Sequence, residues 1–313
     1  MSRPRSGPSS RRRRSRLSTA GILMLVLALV GGAAWVGMRA LRGTAEAIGS
    51  SVGDLGSPFG TDRGTPREPL SESLGPTRPE LDYSGFDPAD VISDDDFFDA
   101  SSMDQDQVAA FIAQWNAGCE PGPDGTVCLA DYTESTPTYP ADQYCPGGFA
   151  GTRDDTAASI IAKVAQGCGI SPKVLLVMMQ KEQGLITASG SSLGPSRYRT
   201  AMGFACPDGG ECDPDYFGFT RQVWFAARQF RVYEVESATF PIQPGATVDI
   251  AYNPDPGCGS APVAIANQAT ADLYNYTPYQ PNPAALTDGG DECSAWGTLN
   301  FYAYWRAWFG NGS

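Results

Sequence analysis

The sequence predicts an α-rich α+β domain with one small β-hairpin, stapled by disulfide bonds and preceded by one transmembrane helix. Three observations support this fold class. Helical apolar patterns recur from about residue 91 onward, and two strand-like segments flank a turn-rich stretch. All eight cysteines of the 313-residue chain also follow its single long apolar run.

The long apolar run defines the predicted membrane segment. Residues 20–38 carry no charge, and a segment of this length is about what a helix needs to cross a bilayer. Residues 1–42 hold nine arginines and no acidic residue. The positive-inside rule therefore predicts a cytoplasmic tail at 1–19, a signal-anchor helix at 20–41 and an extracytoplasmic remainder. A cleaved signal peptide is the alternative.

The part of the chain after the anchor divides by composition. Residues 42–90 are rich in Gly, Ser, Pro and acids, which predicts a disordered stalk, whereas 91–313 is long enough for one sizeable core. An even number of cysteines outside the cell predicts four disulfide bonds. Sequential pairing is the simplest arrangement: Cys119–Cys128, Cys145–Cys168, Cys206–Cys212 and Cys258–Cys293.

The first half of the domain is predicted to consist of helices. Ser102 and Gln105 form a capping-box pattern ahead of an apolar stripe. The apolar spacing of the segment "DDTAASIIAKVAQGCG" predicts an amphipathic helix that ends at a glycine. A third helix spans 172–183, with a capping serine and a proline at its start and Gly184 at its exit.

The second half of the domain mixes helix and strand. The segment "FTRQVWFAARQFRVYE" has a buried helical face, and "ATVDIAY" and "APVAIAN" flank the turn-rich "NPDPGCGS" as a hairpin. The segment "QATADLYNY" is helical up to Pro278. The final "GTLNFYAYWRAWFG" predicts a short helix whose aromatic residues pack in the core.

Composition also excludes several functions. The chain has no histidine, so Ser-His-Asp and Cys-His nucleophiles and His-containing zinc sites cannot form. Residues 43–313 hold 13 basic and 35 acidic residues, a net charge of about −22, which argues against nucleic acid as a partner. Neither a metal site nor a cofactor is predicted. Acid–base chemistry must use Asp, Glu, Tyr or Lys.

Glu182 is the best-placed proton donor. It follows Leu175, Met178 and Met179 on one face of an apolar helix, at the rim of the core. Burial and the helix dipole both disfavour a charged carboxylate there, as in a glycosidase general acid, whereas Lys181 or a nearby arginine would favour it. The alternative is a structural glutamate that pairs with Arg197, Arg199, Arg228 or Arg231, or that points to water past the end of the helix.

The apolar helix that ends in Glu182 resembles that of the lysozyme-like superfamily, above all lytic transglycosylases and goose-type lysozymes. In those enzymes the general acid lies at the end of a central apolar helix. Glu182 in "LLVMMQKEQGLI" matches that position, although Gln183 replaces the usual serine. The segment "YRTAMGFACPDG", from Tyr198 onward, occupies the position of the Gly-Leu-Met-Gln-like motif and matches it at Gly203 and Phe204, but it lacks the motif's glutamine. The segment "LYNYTPYQPN" falls where a motif lines the cleft, with Tyr274, Asn275, Tyr276 and Tyr279 as candidate substrate contacts.

A second resemblance covers most of residues 91–310. The phrases "VISDDDFF", "TAMGFACPD", "FAARQF", "NQATADLYNYTPYQPN" and "WRAWFG" are similar to a recurrent extracytoplasmic domain of actinobacterial surface proteins. Some of those proteins carry a hemagglutinin-type label. This resemblance implies a location at the cell surface more than it implies a mechanism.

Together the resemblances imply an enzyme that cleaves peptidoglycan or another cell-wall glycan, with Glu182 as its acid and base. Asp208, Asp213 and Asp215 are candidates for an assisting carboxylate, or simply loop residues around a disulfide. The tyrosines could stack on sugar rings or pack in the core. A non-catalytic, adhesin-like module that binds glycan or protein on the same scaffold is the alternative function, and a scaffold for wall synthesis is a third.

Overall fold

A computed structural model describes residues 75–287 and 289–310. The α-helices in these ranges are α1 Asp94–Phe97, α2 Gln105–Trp115, α3 Ala157–Cys168, α4 Pro172–Gln183, α5 Pro195–Arg199, α6 Phe219–Val235, α7 Gln268–Tyr276, α8 Pro283–Thr287 and α9 Gly297–Phe309. The strands are β1 Thr133–Glu134, β2 Asp155–Thr156, β3 Thr247–Ala251 and β4 Ser260–Ala264. Single turns of 3₁₀ helix lie at Leu129–Asp131, Leu185–Thr187, Gly190–Ser192, Pro214–Tyr216, Ser237–Thr239 and Pro256–Cys258.

Helix α4 lies at the centre of the core. Every side chain from Val174 to Met179 is completely buried, so the helix is enclosed on all sides. Helices α3 and α9 pack against it, and α3 also packs against α2 and α6. The predicted bounds of α4 are confirmed, with Pro172 in its first turn and Gly184 at its end in the left-handed region (φ 59°).

The capping prediction for α2 is wrong in register. The helix begins at Gln105, and Asp104 and Gln107 form the reciprocal capping box. Ser102 instead lies 2.8 Å from the hydroxyl of Ser171, oxygen to oxygen. That contact also explains why Ser171 makes no side-chain cap at the start of α4, since its hydroxyl is already engaged.

The predicted hairpin is confirmed. Strands β3 and β4 are antiparallel, with Val248 opposite Val263. A disulfide from Cys258, in the connection between the strands, to Cys293 fixes the hairpin to the segment before α9. A second antiparallel pair, β1 with β2, was not predicted, because strands of two residues are too short to show alternation.

All four predicted disulfides form in the structure. Their partners are Cys119–Cys128, Cys145–Cys168, Cys206–Cys212 and Cys258–Cys293. Each bond closes a loop between neighbouring elements, which supplements the hydrophobic core of this domain. The coarse fold class, helix-rich with small antiparallel strand pairs and disulfide staples, is therefore confirmed.

The packed region extends before residue 91. Tyr83 donates a hydrogen bond to Asn300 of α9 at 3.1 Å, and Phe86 meets Tyr302 edge to face with ring centroids 5.4 Å apart. The carbonyl of Ser84 accepts from the Tyr302 hydroxyl at 2.9 Å. Residues 83–86 thus pack on the surface of α9, although the sequence analysis placed them in the stalk at 42–90.

The predictions for the cytoplasmic tail (1–19), the anchor (20–41) and most of the stalk lie outside the described residues. Within the ranges that the structure does describe, no helix is both long enough and apolar enough to span a membrane.

Candidate active site

The site begins with Glu182 in the last turn of α4. Its side chain is 24% exposed, although six fully buried residues precede it in the same helix. The carboxylate oxygen Oε1 lies 2.7 Å from Nζ of Lys181. Glu182 therefore sits at the boundary between core and solvent, as its sequence position predicts.

The arginines proposed as structural partners of Glu182 are engaged elsewhere. Arg197 donates to the carbonyl of Ser192, and Arg199 lies over the ring of Phe217. Arg228 and Arg231 form ion pairs with Asp142 and Glu234, respectively. The prediction of an arginine partner for Glu182 is thus wrong, because the partner is the neighbouring Lys181.

The loop after α5 approaches the other oxygen of Glu182. Gly203 has a φ of 67°, in the left-handed region that favours glycine. A Cβ built on Gly203 would lie 2.7 Å from Oε2 and 3.1 Å from Cδ of Glu182. Only a residue without a side chain leaves room here, so the loop and the carboxylate fit each other closely.

Gln222 of α6 fixes this loop, a role that the sequence analysis missed. Its side-chain oxygen accepts from the backbone N–H of Met202 at 3.2 Å and of Phe204 at 3.0 Å. Its amide nitrogen donates to the carbonyls of Phe204 (3.0 Å) and Tyr216 (2.9 Å). Gln222 is completely buried, and its four bonds hold Gly203 beside Glu182. A signal was present, since Gln222 is a polar residue on the buried stripe of α6.

Helix α7 brings a tyrosine and a threonine to the site. The Tyr276 hydroxyl donates to the carbonyl of Met202 at 2.8 Å, so it ties α7 to the same loop. Burial, with the nearby charge of Glu182 as a further cause, raises the pKa of Tyr276 well above its usual value. Tyr276 therefore stays neutral and acts as a hydrogen-bond donor. Thr277, next in the chain, accepts from Nζ of Lys181 at 2.8 Å.

Asn275 and Tyr279 lie on either side of that pair in the sequence. Asn275 donates to the carbonyl of Ile242 at 2.8 Å and accepts from its N–H at 3.4 Å, so its amide holds the connection before β3. Tyr279 is partly exposed. Burial and the nearby carboxylate of Asp208 raise its pKa. The loop closed by Cys206–Cys212 thus meets the segment after α7 through Asp208 and Tyr279.

The other two candidate carboxylates are loop residues. Asp213 accepts from the N–H of Asp215 at 3.0 Å and so caps a 3₁₀ turn. Asp215 is exposed, and its carbonyl accepts from Arg221 at 2.8 Å. Of the three candidates, Asp208 is the one that contacts another predicted site residue.

The remaining predicted substrate contacts differ in their exposure. Tyr274 is completely buried, and Tyr198 stacks on Tyr132 at 4.4 Å, so neither ring has an open face. Phe204 packs edge to face on Tyr216 with ring centroids 5.0 Å apart, and Gln183 is partly exposed beside Glu182. The structure therefore brings together Glu182, Gly203 and Tyr276, whereas Tyr198 and Tyr274 belong to the core.

A cavity of about 430 Å³ lies away from this site, between the start of α2, the loop 147–150 and α3. Its lining includes Met103, Phe149, Lys163 and Gln166, and none of the residues around Glu182 contributes to it. The Lys163 ammonium at its edge is paired with Asp155 at 2.5 Å. The cavity is thus separate from the candidate active site.

Across residues 75–287 and 289–310, no group of three or more Asp, Glu or Cys side chains is arranged to hold a metal ion. Comparison of the chain with protein-family models, with curated proteins and with solved structures finds no match.

Proposed function

We propose that this protein is a membrane-anchored, extracytoplasmic enzyme that cleaves a cell-wall glycan, with peptidoglycan as the substrate and Glu182 as the general acid and base. The domain would have a lysozyme-like fold of the lytic transglycosylase type. The membrane segment at 20–41 and the stalk would hold the domain at the distance of the wall.

The observation that carries the proposal is the environment of the Glu182 carboxylate. It ends a fully buried helix, is 24% exposed, and lies against Gly203 and near Tyr276. Gln222, Tyr276 and Lys181 hold its surroundings through buried contacts. A carboxyl group that is held on a rigid helix and is partly exposed suits proton transfer to a bound substrate.

The reaction follows from one carboxyl group. Glu182 donates a proton to the glycosidic oxygen between N-acetylmuramic acid and N-acetylglucosamine. The bond from C1 to that oxygen breaks, and its electron pair moves to the leaving oxygen. Glu182, now a carboxylate, accepts a proton from the attacking hydroxyl as that hydroxyl bonds to C1.

The product depends on which nucleophile attacks C1. Attack by the C6 hydroxyl of the same muramic acid gives an anhydro product, whereas attack by water gives a reducing end. The first route requires no second carboxylate, which agrees with the surroundings of Glu182. Asp208 would be the candidate to assist in the second route, because it contacts Tyr279 beyond α7.

A non-catalytic module that binds glycan or protein is the second candidate. One observation favours it: Oε1 of Glu182 is already ion-paired with Lys181, as a purely structural carboxylate would be. In that case the surface around Gly203 and Tyr279 would bind glycan without cleaving it.

The test uses the full chain, purified in detergent, and purified peptidoglycan. We expect wild type to release muropeptides and Glu182→Gln to lose about 10²- to 10⁴-fold of that activity, because the amide cannot donate the proton. Mass spectrometry distinguishes anhydro from reducing ends. Glu292→Gln, at an exposed glutamate, is the matched control and should keep full activity.

Two results would contradict the enzyme. Equal product from wild type and Glu182→Gln would exclude Glu182 as the acid. Sedimentation of the chain with peptidoglycan, without any product, would instead support the binding module.

A further inference from the structure

Lys181 is an unusually buried cation. Its side chain is only 3% exposed, and its ammonium contacts Oε1 of Glu182 at 2.7 Å and Oγ1 of Thr277 at 2.8 Å. A Cβ on Gly297, at the start of α9, would lie 3.7 Å from Nζ. Burying an ammonium is costly unless a charge compensates for it, and Glu182 is the carboxylate that does so.

The ion pair is between sequence neighbours, which do not face each other within a regular helix. The pair lies in the last turn of α4, directly before Gln183 and the left-handed Gly184. The pair turns the carboxylate inward, toward α7 and the loop of Gly203. Without Lys181, a glutamate in a last turn would be free to extend into solvent.

The two oxygens of Glu182 therefore have different surroundings. Oε1 faces Lys181, whereas Oε2 faces the Cα of Gly203, and no hydrogen bond to Oε2 occurs within the described part of the chain. The charged and titratable groups around the carboxyl are Lys181 from α4, Tyr276 from α7, and Arg197, whose guanidinium lies beside Gly184.

From these contacts we infer that Lys181 is a positioning residue. It holds Glu182 through Oε1, and Oε2 is the oxygen that exchanges the proton with the glycosidic oxygen above Gly203. Thr277 acts through Lys181, because its hydroxyl fixes the ammonium. This inference rests on the proposed glycan cleavage and names the residue that orients its acid.

The test compares full-length Lys181→Met, Lys181→Arg and Thr277→Val with wild type on peptidoglycan. We expect Lys181→Met to lower kcat about 10- to 100-fold, because the acid loses its fixed position. KM should stay near that of wild type, because the Lys181 side chain is only 3% exposed and does not form the substrate surface.

The other two variants separate orientation from stability. Lys181→Arg retains the charge and should restore part of kcat. Thr277→Val should lower kcat by a smaller factor, since it removes one anchor of Lys181. Thermal unfolding of each variant shows whether it is folded, and a purely structural role would lower the melting temperature while the folded protein keeps the kcat of wild type.

The outcomes are distinguishable from failure of the enzyme itself. If wild type is active, Glu182→Gln is inactive, and Lys181→Met keeps the kcat of wild type, the inference about Lys181 is overturned alone. If wild type releases no product, or Glu182→Gln releases as much as wild type, the glycan cleavage fails and the positioning role falls with it.

Discussion

The Glu182 carboxylate fills the space that a side chain at position 203 would take. A Cβ on Gly203 would be 2.7 Å from Oε2, closer than such atoms approach in folded proteins. The glycine and the glutamate come from different elements, so their fit is a property of the folded domain. It also provides a direct way to disturb the carboxylate without changing it.

Gly203→Ala should displace Glu182 and lower glycan cleavage by about 100-fold, the effect of a shift of about 1 Å at a reacting group. Its positive φ adds a stability cost of about 1 kcal/mol. The matched control is Gly169→Ala, because Gly169 has a φ of 72° but no atom within 4 Å of the new Cβ. The control should lose similar stability and keep its activity. Equal activity of the two variants would contradict the fit.

Gln222→Leu should both destabilise the domain and impair the site. The substitution leaves the N–H groups of Met202 and Phe204 without their acceptor, and each such buried donor costs about 1–3 kcal/mol. Urea unfolding measures the loss of stability, and muropeptide release measures the loss of activity. Gln222→Glu keeps an acceptor for the two N–H groups but loses the donor to the carbonyls of Phe204 and Tyr216, so it should also destabilise the domain. A Gln222→Leu domain with unchanged activity would show that the loop holds Gly203 without this side chain.

Asp272 should make stability depend on pH. It is completely buried in α7, and burial, reinforced by the charges of Glu234 and Asp94, raises its pKa to about 8. The unfolded carboxyl ionises near 3.8, so the folded state alone keeps the proton between about pH 4 and pH 8. The contribution of Asp272 to the free energy of unfolding therefore decreases as the pH rises through that window, and it stops decreasing above about pH 8.

Asp272→Asn removes this dependence, since the amide stays neutral and its oxygen still accepts from Gln268. Relative to wild type, the variant should gain about 1 kcal/mol of unfolding free energy per pH unit between about pH 5 and pH 8. Urea unfolding at several pH values measures this difference. Asp249→Asn, at an exposed position of β3, is the control and should run parallel to wild type. A parallel curve for Asp272→Asn would mean that the buried carboxyl is already ionised.

The disulfides should contribute according to the length of chain that they close. Cys258 and Cys293 are 35 residues apart, whereas Cys206 and Cys212 are 6 apart. Loop-closure entropy gives about 4 and about 2 kcal/mol for these two bonds. Paired replacement of each by serine, followed by chemical denaturation, should show the larger loss for Cys258–Cys293. The reverse order would mean that native contacts, and not chain entropy, dominate.

Local sequence signals predicted the elements well. The proline at the start of α4 and Gly184 at its end gave the correct bounds, because end signals act within one turn. The same kind of signal failed at α2, where Ser102 matched the pattern but bonds to Ser171 across the fold. A competing long-range partner for the hydroxyl moved the cap to Asp104.

The composition of the site was only partly predictable. Glu182, Gly203 and Tyr276 were candidates from the sequence, and the structure places them together. Lys181 was expected to act on the charge of Glu182, but a direct ion pair was not predicted, because neighbours on a helix do not face each other. Tyr198 and Tyr274 were candidates for stacking on sugar, but the exposure of a ring depends on what covers it in the fold.

The sequence by itself determined the helix-rich class, the even number of cysteines that predicts four disulfides, the absence of histidine chemistry and the position of one glutamate at the end of a buried helix. These features depend on residue identity and on spacing within one element. Only the tertiary structure decided which groups surround that glutamate. Gly203 and Tyr276 reach it from two separate parts of the chain, beside its neighbour Lys181, and only packing and buried hydrogen bonds such as those of Gln222 can bring such parts together.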